Sequence, residues 1–474
     1  MAWIYTAARR VFRRAVDFYF LDLQVVGEIP EDGPLLLASN HPNSIMDTLV
    51  LGAVFPRTIH FLARSGLFAN PLVGAGLRSA GAIPIFRRQD GPSDPGGNQN
   101  AFRAAFDVLR RGDVIGIFPE GQNAPVRHVR DIKTGVSRIA LEAEHESDWS
   151  LGVSVVPVGL NYEERDQFLT RVLVRFGEPI PAARFREQYG DDSREAVRAL
   201  TDEVQESMRS LAVHVHDEEH TQLLGAVDAL VGERLQDELI GQIDLRSLDE
   251  RLLQRATGRA REHQDLEGRF KVRQWIADAI AHFERDDPEV LERLQRQIHR
   301  YEAHLSQLRL RADFAERPAK TLSARREALK LTAYALFLAP IAMWGLVHNF
   351  VPYRLARRFA LRTNEEAIRA IRALVGGGLF FGLFYTLYGL SVWAGTESWI
   401  AVVLYLGSLP IFGVWFLRYR QRLGLYAHRM LVRTLFRTRR RLLRALLLER
   451  EQLLIQIEEL ERQYREVRGT SEEE

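Results

Sequence analysis

Three long segments without a charged side chain set the first limit on how this chain can fold. Leu331–Tyr353, Ala373–Thr396 and Ser398–Leu417 contain no Asp, Glu, Lys or Arg. A helix needs about 20 apolar residues to cross a bilayer, and each segment is long enough. Soluble core helices rarely run so far without charge, so this region is expected to be embedded in a membrane. The average over 474 residues conceals this, with 46% hydrophobic residues, 27% charged residues and a net charge of +2. Those averages exclude global disorder, and the length suits two to four domains.

Flanking charges constrain the topology. Only Glu397 separates the second and third segments, inside the turn Gly395-Thr396-Glu397, so these two read as a helical hairpin. Arg372 precedes the hairpin and Arg418, Arg420 and Arg422 follow it, which places both outer ends in the cytoplasm. The preceding linker carries Arg354, Arg357, Arg358, Arg362 and Arg369 and belongs on the same side. Pro340, Gly345, His348 and Asn349 interrupt the first segment. The expectation is a re-entrant or shallow element over 331–353 and a hairpin over 373–417, with three full spans as the alternative. A GxxxG pattern at Gly378 and Gly382 reads as hairpin packing.

Residues 418–444 contain ten arginines and no acidic residue. Their place directly after a candidate span points to anionic lipid headgroups rather than to nucleic acid. A helix follows, with Leu446, Leu453, Ile457, Leu460 and Tyr464 on one side. Its natural partner is the heptad-like seam Leu291, Leu294, Ile298, Tyr301, Leu305 and Leu308, in an otherwise polar helical region over 185–328. At the other end, Ile4, Ala8, Phe12, Ala15, Val16 and Tyr19 share one helical face opposite Arg9, Arg10, Arg13 and Arg14. Residues 1–21 therefore read as an amphipathic membrane-surface helix, or as a helix docked on the next domain.

Between these regions, over 22–184, short apolar runs alternate with helical patterns. Candidate strands are Leu23–Val26, Leu35–Ala38, Ile59–Ala63, Ile83–Phe86, Val114–Phe118, Ser154–Val158 and Val172–Phe176. This alternation predicts an α/β fold with a mostly parallel sheet flanked by helices. There is no cysteine, which removes disulfides, thiolate metal sites and a cysteine nucleophile, and the 13 histidines show no metal-ligand spacing. No metal and no cofactor are expected. Gly74-Ala75-Gly76 outlines a dinucleotide fingerprint but lacks its third glycine, and reads as a tightly packed helix.

The informative stretch is Asn40-His41-Pro42-Asn43-Ser44-Ile45-Met46-Asp47, directly after a strand. Loops at the C-terminal ends of parallel strands build α/β active sites. Pro42 keeps His41 out of regular helix, and a loop histidine with a carboxylate nearby can act as general base. A second reading competes with this one, because Ser44-Ile45-Met46-Asp47 is also a capping box. On an ideal helix a six-residue offset turns His41 about 240° from Asp47, so the pair meets only if the chain bends at Pro42-Asn43.

Three further stretches end strands with unusual residues: Gly81-Ala82-Ile83-Pro84-Ile85-Phe86-Arg87-Arg88, Phe118-Pro119-Glu120-Gly121 and Val156-Pro157-Val158-Gly159. In order and spacing, these and the Asn40-His41 run resemble the four blocks of the glycerolipid acyltransferase superfamily. That superfamily includes glycerol-3-phosphate, dihydroxyacetone-phosphate and 1-acylglycerol-3-phosphate O-acyltransferases. The resemblance covers residues 20–180 and departs at one point. Five residues separate His41 from Asp47, where four are usual.

The resemblance implies that His41 deprotonates an acceptor hydroxyl while Asp47 orients it. It puts Asn40, Arg87, Arg88, Glu120, Gly121 and Lys133 at the substrate, with Arg87 in the phosphate-binding position. Arg88 reads rather as a solvated charge, and Lys133 equally as a surface lysine. Glu120 suits anchoring Arg87 or shaping its loop, with Gly121 allowing close backbone approach. The implied partners are a phosphorylated glycerol acceptor, glycerol 3-phosphate favoured, an acyl thioester of coenzyme A or acyl carrier protein, and membrane lipids. Nucleic acid is not among them. The implied setting is phospholipid biosynthesis at the inner (cytoplasmic) membrane, with the catalytic domain facing the cytoplasm. The rival readings are a lysophosphatidate-specific enzyme, an inactive lipid-binding or scaffold protein, and a hydrolase using the same base on water.

Overall fold

The computed structural model describes residues 13, 16, 19–69, 71–86, 97–121, 129–163, 170–215, 218–241, 266–307, 324–362, 366–438 and 440–471. Two compact units result, one up to Leu291 and one from Glu292 onward.

The first unit is built on an eight-stranded sheet. Its strands are β1 (Asp22–Val26), β2 (Leu35–Ser39), β3 (Ile59–Arg64), β4 (Ile83–Ile85), β5 (Val114–Ile117), β6 (Ser154–Tyr162), β7 (Arg171–Phe176) and β8 (Ile180–Pro181). The order across the sheet is β1-β7-β6-β2-β5-β3-β4, with β8 paired to β6. From β6 to β4 all neighbours are parallel, whereas β7 and β8 run antiparallel to β6. The sheet is thus mostly parallel, as the strand–helix alternation predicts. The strands extend a residue or more beyond several of the apolar runs, and β8 is too short to leave a pattern.

Every residue of β2 is buried, because both faces of a central parallel strand are covered. Leu36 and Ala38 face a core with α3 (Gly97–Arg110), α4 (Gly135–Glu146) and α6 (Ser193–Leu211). Leu35 and Leu37 face the opposite layer, with Val50, Leu51 and Ala53 of α1 (Ile45–Val54). Each such buried leucine contributes about 1.5–3 kcal/mol of transfer free energy. The α/β core therefore extends past residue 184, since Ala196, Leu200, Val204 and Met208 of α6 belong to it. Val16 and Phe20 are also packed into the second layer, which is the docked arrangement for that part of the N-terminal segment. Residues 1–12 lie outside the described residues.

The remaining helices of this unit are α2 (Pro71–Ser79), α5 (Arg186–Asp191), α7 (Glu218–Gly241) and α8 (Leu266–Asp286). Gly74 lies on the Phe68 carbonyl within α2, a packing glycine and not a nucleotide loop. Helix α9 (Pro288–Gln307) buries Leu291, Leu294, Ile298, Tyr301 and Leu305, the expected seam; Leu308 is outside the described residues.

The second unit holds α10 (Ala324–Ala360), α11 (Glu366–Thr396), α12 (Trp399–Thr438) and α13 (Arg440–Ser471). Among the described residues three helical stretches, Ala335–Ala360, Val375–Thr396 and Trp399–Leu417, are long and apolar enough to cross a membrane. Large apolar side chains such as Phe337 (81% exposed) and Ile400 (75% exposed) cover their outer faces, as lipid contact requires. Helix α12 continues without a break from its apolar part into the arginine-rich stretch. The paired helix at the C-terminus is present: Leu446, Leu453 and Ile457 are buried and His304 of α9 meets Glu449 at 3.0 Å.

Candidate active site

The candidate residues gather along the C-terminal edge of the parallel strands. β2 leads into Asn40-His41, β5 into Phe118-Pro119-Glu120-Gly121, and β3 ends in Arg64. The β4 end leads toward Arg87 and Arg88, which lie outside the described residues.

His41 sits before α1, not within it, so the 240° helical offset never applies. Pro42 and Asn43 turn the chain, Ser44 takes a φ of +51°, and α1 begins at Ile45. This turn brings His41 Nδ1 to 2.9 Å from Asp47 Oδ2. The Asn43 backbone N–H donates to the same oxygen at 2.7 Å. A capping box is therefore not what forms: the Ser44 side chain makes no cap bond, and the carboxylate reaches back to Asn43. The extra residue between His41 and Asp47 is absorbed in this turn.

Asp47 is fully buried and His41 is 17% exposed. Tyr162 at the end of β6 donates to the other carboxylate oxygen, Asp47 Oδ1, at 2.7 Å. Burial and the Asp47 charge push the Tyr162 hydroxyl pKa well up, so it remains a donor. Because a carboxylate only accepts, His41 Nδ1 carries the proton toward Asp47, which leaves Nε2 as the basic nitrogen. The imidazole stacks on Phe118 with centroids 3.9 Å apart and planes within 15°. Its orientation is thus held from one edge and from one face.

Asn40 continues the β2–β6 pairing with its side chain. It donates 3.1 Å to the Leu160 carbonyl and accepts 2.7 Å from the Leu160 N–H. This fixes where the His41 loop leaves the sheet. Glu120 is buried, and its Oε1 finds no partner among the described residues. Burial raises its pKa to about 8, against the opposing pull of Arg130 and the His41 backbone N–H, with Asp47 adding to the rise. Gly121 takes φ +75°, and a Cβ there would meet Lys133 Nζ at 2.6 Å. Lys133 thus lies across the Gly121 backbone, anchored by its N–H to the Pro119 carbonyl at 2.9 Å.

His41 is thus held by a buried carboxylate, beside a loop that carries the buried Glu120 and Lys133. Residues 22–161 match the Acyltransferase family. The matched segment contains the four sequence blocks that resemble those of the glycerolipid acyltransferase superfamily. Glycerol-3-phosphate O-acyltransferase 2 of Saccharomyces cerevisiae is 36% identical over 121 residues, 25% of this chain and 16% of that protein. The 1-acyl-sn-glycerol-3-phosphate acyltransferase of Bacillus subtilis is 31% identical over 94 residues, 20% of this chain and 43% of that one. This chain therefore spans well under two thirds of either relative. A solved structure, the 1-acyl-sn-glycerophosphate (LPA) acyltransferase from Thermotoga maritima, aligns over 44% of this chain and 79% of that one, at 24% identity and a TM-score of 0.33.

Two contacts of this domain escape sequence reasoning. Tyr162 lies 115 residues from Asp47 and four residues beyond the Ser154–Val158 run that reads as a strand. Phe118 stands inside a recognised block, but nothing in its spacing announces a stack on His41. A third feature lies behind the His41 loop, where a cavity of about 70 Å³ touches Asn40 and Pro42. Around it, Arg171 and Arg269 pair with Glu163, and Arg269 and Arg273 with Asp228, tying α7 and α8 to the strand ends.

Proposed function

We propose that this protein is a membrane-bound O-acyltransferase that moves a fatty acyl group from an acyl thioester to a hydroxyl of a phosphorylated glycerol backbone. The observation that carries the reading is the buried Asp47 carboxylate bonded to His41 Nδ1, with Asn43 and Tyr162 as its other donors. His41 Nε2 takes the acceptor hydroxyl proton as the oxygen attacks the thioester carbonyl. Asp47 stabilises the imidazolium that forms. The tetrahedral intermediate collapses with loss of the thiolate, which recovers the proton from His41. No acyl-enzyme is required, in keeping with the lack of cysteine and of a Gly-x-Ser-x-Gly elbow.

Acceptor recognition falls to the loop after β5 and the end of β4. Arg87 binds phosphate bidentately, with Arg88 and Lys133 adding charge. Glu120, protonated around neutral pH, donates a hydrogen bond to the phosphate instead of repelling it. Asn40 and Gly121 shape the loops that carry these groups. The donor is a thioester of coenzyme A or acyl carrier protein, and no cofactor takes part. The site faces the cytoplasm at the inner membrane, where the product enters phospholipid synthesis.

Glycerol 3-phosphate is the favoured acceptor, supported by the yeast relative of 36% identity. A lysophosphatidate acceptor is the second reading, favoured by the Bacillus relative of 31% identity. Offering each acceptor separately with a labelled acyl donor distinguishes them, and release of free fatty acid without acceptor would identify a hydrolase instead.

A further inference from the structure

Ahead of α4, residues 129–133 run as irregular backbone. Such backbone cannot satisfy its own N–H groups, so their partners must come from elsewhere. Val129 is 1% exposed, and its N–H donates to His214 Nδ1 at 3.1 Å. The N–H of Ile132, also buried, donates to Gln205 Oε1 on α6 at 2.8 Å. The Lys133 N–H donates to the Pro119 carbonyl at 2.9 Å. The segment is therefore held by α6 and the residues after it on one side, and by the loop after β5 on the other. His214 is tied to the sheet in turn. Near the end of β6, Asn161 donates to the Leu211 carbonyl at 2.9 Å and accepts from the Val213 N–H at 3.1 Å. Gln205 and His214 both lie beyond residue 161, where the family match ends.

Charge shows what the segment presents. Arg171, Arg269 and Arg273 all meet carboxylates. Arg130 and Lys133 differ: among the described residues neither side chain makes an ion pair or a hydrogen bond. The segment's one acid, Asp131, is 92% exposed and bound to Arg209 of α6 at 3.1 Å. The acids of the site are also occupied. Asp47 is shared by His41, Asn43 and Tyr162. Glu120, whose carboxyl feels the Arg130 charge, keeps its proton at neutral pH because burial raises its pKa to about 8. Lys133 Nζ lies against Gly121, so both cations stand at the Glu120-Gly121 turn. Arg130 is half-buried, where an uncompensated charge is costly. A phosphate supplies the missing countercharge and accepts from both groups.

We infer that residues 129–133 form a second cationic arm of the acceptor site, in which Arg130 binds the acceptor phosphate together with Lys133, and Gln205 and His214 position the arm by holding its backbone N–H groups. Arg130 offers planar, paired donors where Lys133 offers a point charge. The identity of the ligand as a phosphorylated acceptor rests on the acyl-transfer reading; the anchoring of the arm does not.

The test uses the full-length protein in detergent, with glycerol 3-phosphate, lysophosphatidate and inorganic phosphate as probes. Arg130→Gln should raise KM for the phosphorylated acceptor about 10–100-fold, the loss expected of a hydrogen bond to a charged group, and leave kcat and donor KM nearly unchanged. Arg130→Lys should recover part of this. Inhibition by inorganic phosphate should weaken with Arg130→Gln by the same factor. His214→Ala should raise acceptor KM several-fold and speed amide hydrogen exchange over 129–133. His214→Asn, whose Oδ1 stands where Nδ1 stood, should restore both. The phosphate probes should slow that exchange in the wild type and not in Arg130→Gln. Unchanged acceptor KM and unchanged protection in Arg130→Gln would overturn the phosphate role, and unchanged exchange in His214→Ala would overturn the anchoring. If the wild type forms no acylated product, the acyl-transfer reading fails alone, and protection of 129–133 by inorganic phosphate still decides for or against the arm.

Discussion

Tyr162 donates a 2.7 Å hydrogen bond to the one Asp47 oxygen that His41 does not use. The buried carboxylate is thereby fully engaged, by two donors in the loop between β2 and α1 and one at the end of β6. Tyr162→Phe should leave the fold intact, lower kcat about 10–100-fold, as loss of a supporting partner typically does, and change KM little. An unchanged kcat would assign Tyr162 a purely structural part.

His41→Ala removes the proposed base itself. A general base contributes about 10²–10⁴-fold, which is about 3–5.5 kcal/mol of barrier. The variant should still fold, because its loop is set by Asn40, Pro42 and Asn43, but should unfold at a lower temperature, since the buried Asp47 carboxylate loses a donor and Phe118 loses its stack. Steady-state rates with saturating donor measure the loss.

The stack of His41 on Phe118 predicts a smaller effect. Aromatic contacts of this kind contribute about 0.5–1.5 kcal/mol beyond burial. Phe118→Leu keeps most of the apolar volume while removing the ring face. It should reduce kcat about 3–10-fold by that energy, checked by the same assay.

Glu120 carries a pH dependence of stability. Its pKa is 4.5 when exposed and about 8 in the fold. Between those values the native state binds the additional proton, so stability falls as pH rises through that window. Glu120→Gln, neutral at every pH, should flatten the decline. Thermal unfolding in detergent at pH 5 and pH 8, wild type against variant, reads this directly.

Much of the domain was legible because its signals are local. Strand–helix alternation marks the parallel sheet, and Asn40-His41-Pro42 and Phe118-Pro119-Glu120-Gly121 each stand at one strand end. The meeting of His41 with Asp47 depended on a bend that Pro42-Asn43 permits but does not dictate, and the capping-box reading of Ser44 failed because Asp47 is spent on Asn43 and His41. Tyr162 was out of reach, since which strand end faces Asp47 is decided by the β6–β2 pairing. Hydropathy likewise counts three long segments but is blind to their packing. Only contacts such as Ala335 with Tyr419 and Ala356 with Gly376 reveal that α10 packs against both neighbours.

Gly121→Ala tests the loop after β5. The new Cβ would lie 2.6 Å from Lys133 Nζ at a φ of +75°, which alanine adopts only with strain. Lys133 must move, so KM for the phosphorylated acceptor should rise several-fold with KM for the donor unchanged. Equal effects on both would remove Lys133 from acceptor recognition.

The central claim is tested most directly by acyl transfer in membranes carrying the full-length protein. Labelled acyl-CoA or acyl carrier protein thioester is supplied, with glycerol 3-phosphate, dihydroxyacetone phosphate and lysophosphatidate offered separately and His41→Ala in parallel. The account predicts one acceptor-dependent acylated product, with glycerol 3-phosphate as acceptor, that disappears with His41. No product from any acceptor with either donor, or a product that survives His41→Ala, would contradict it.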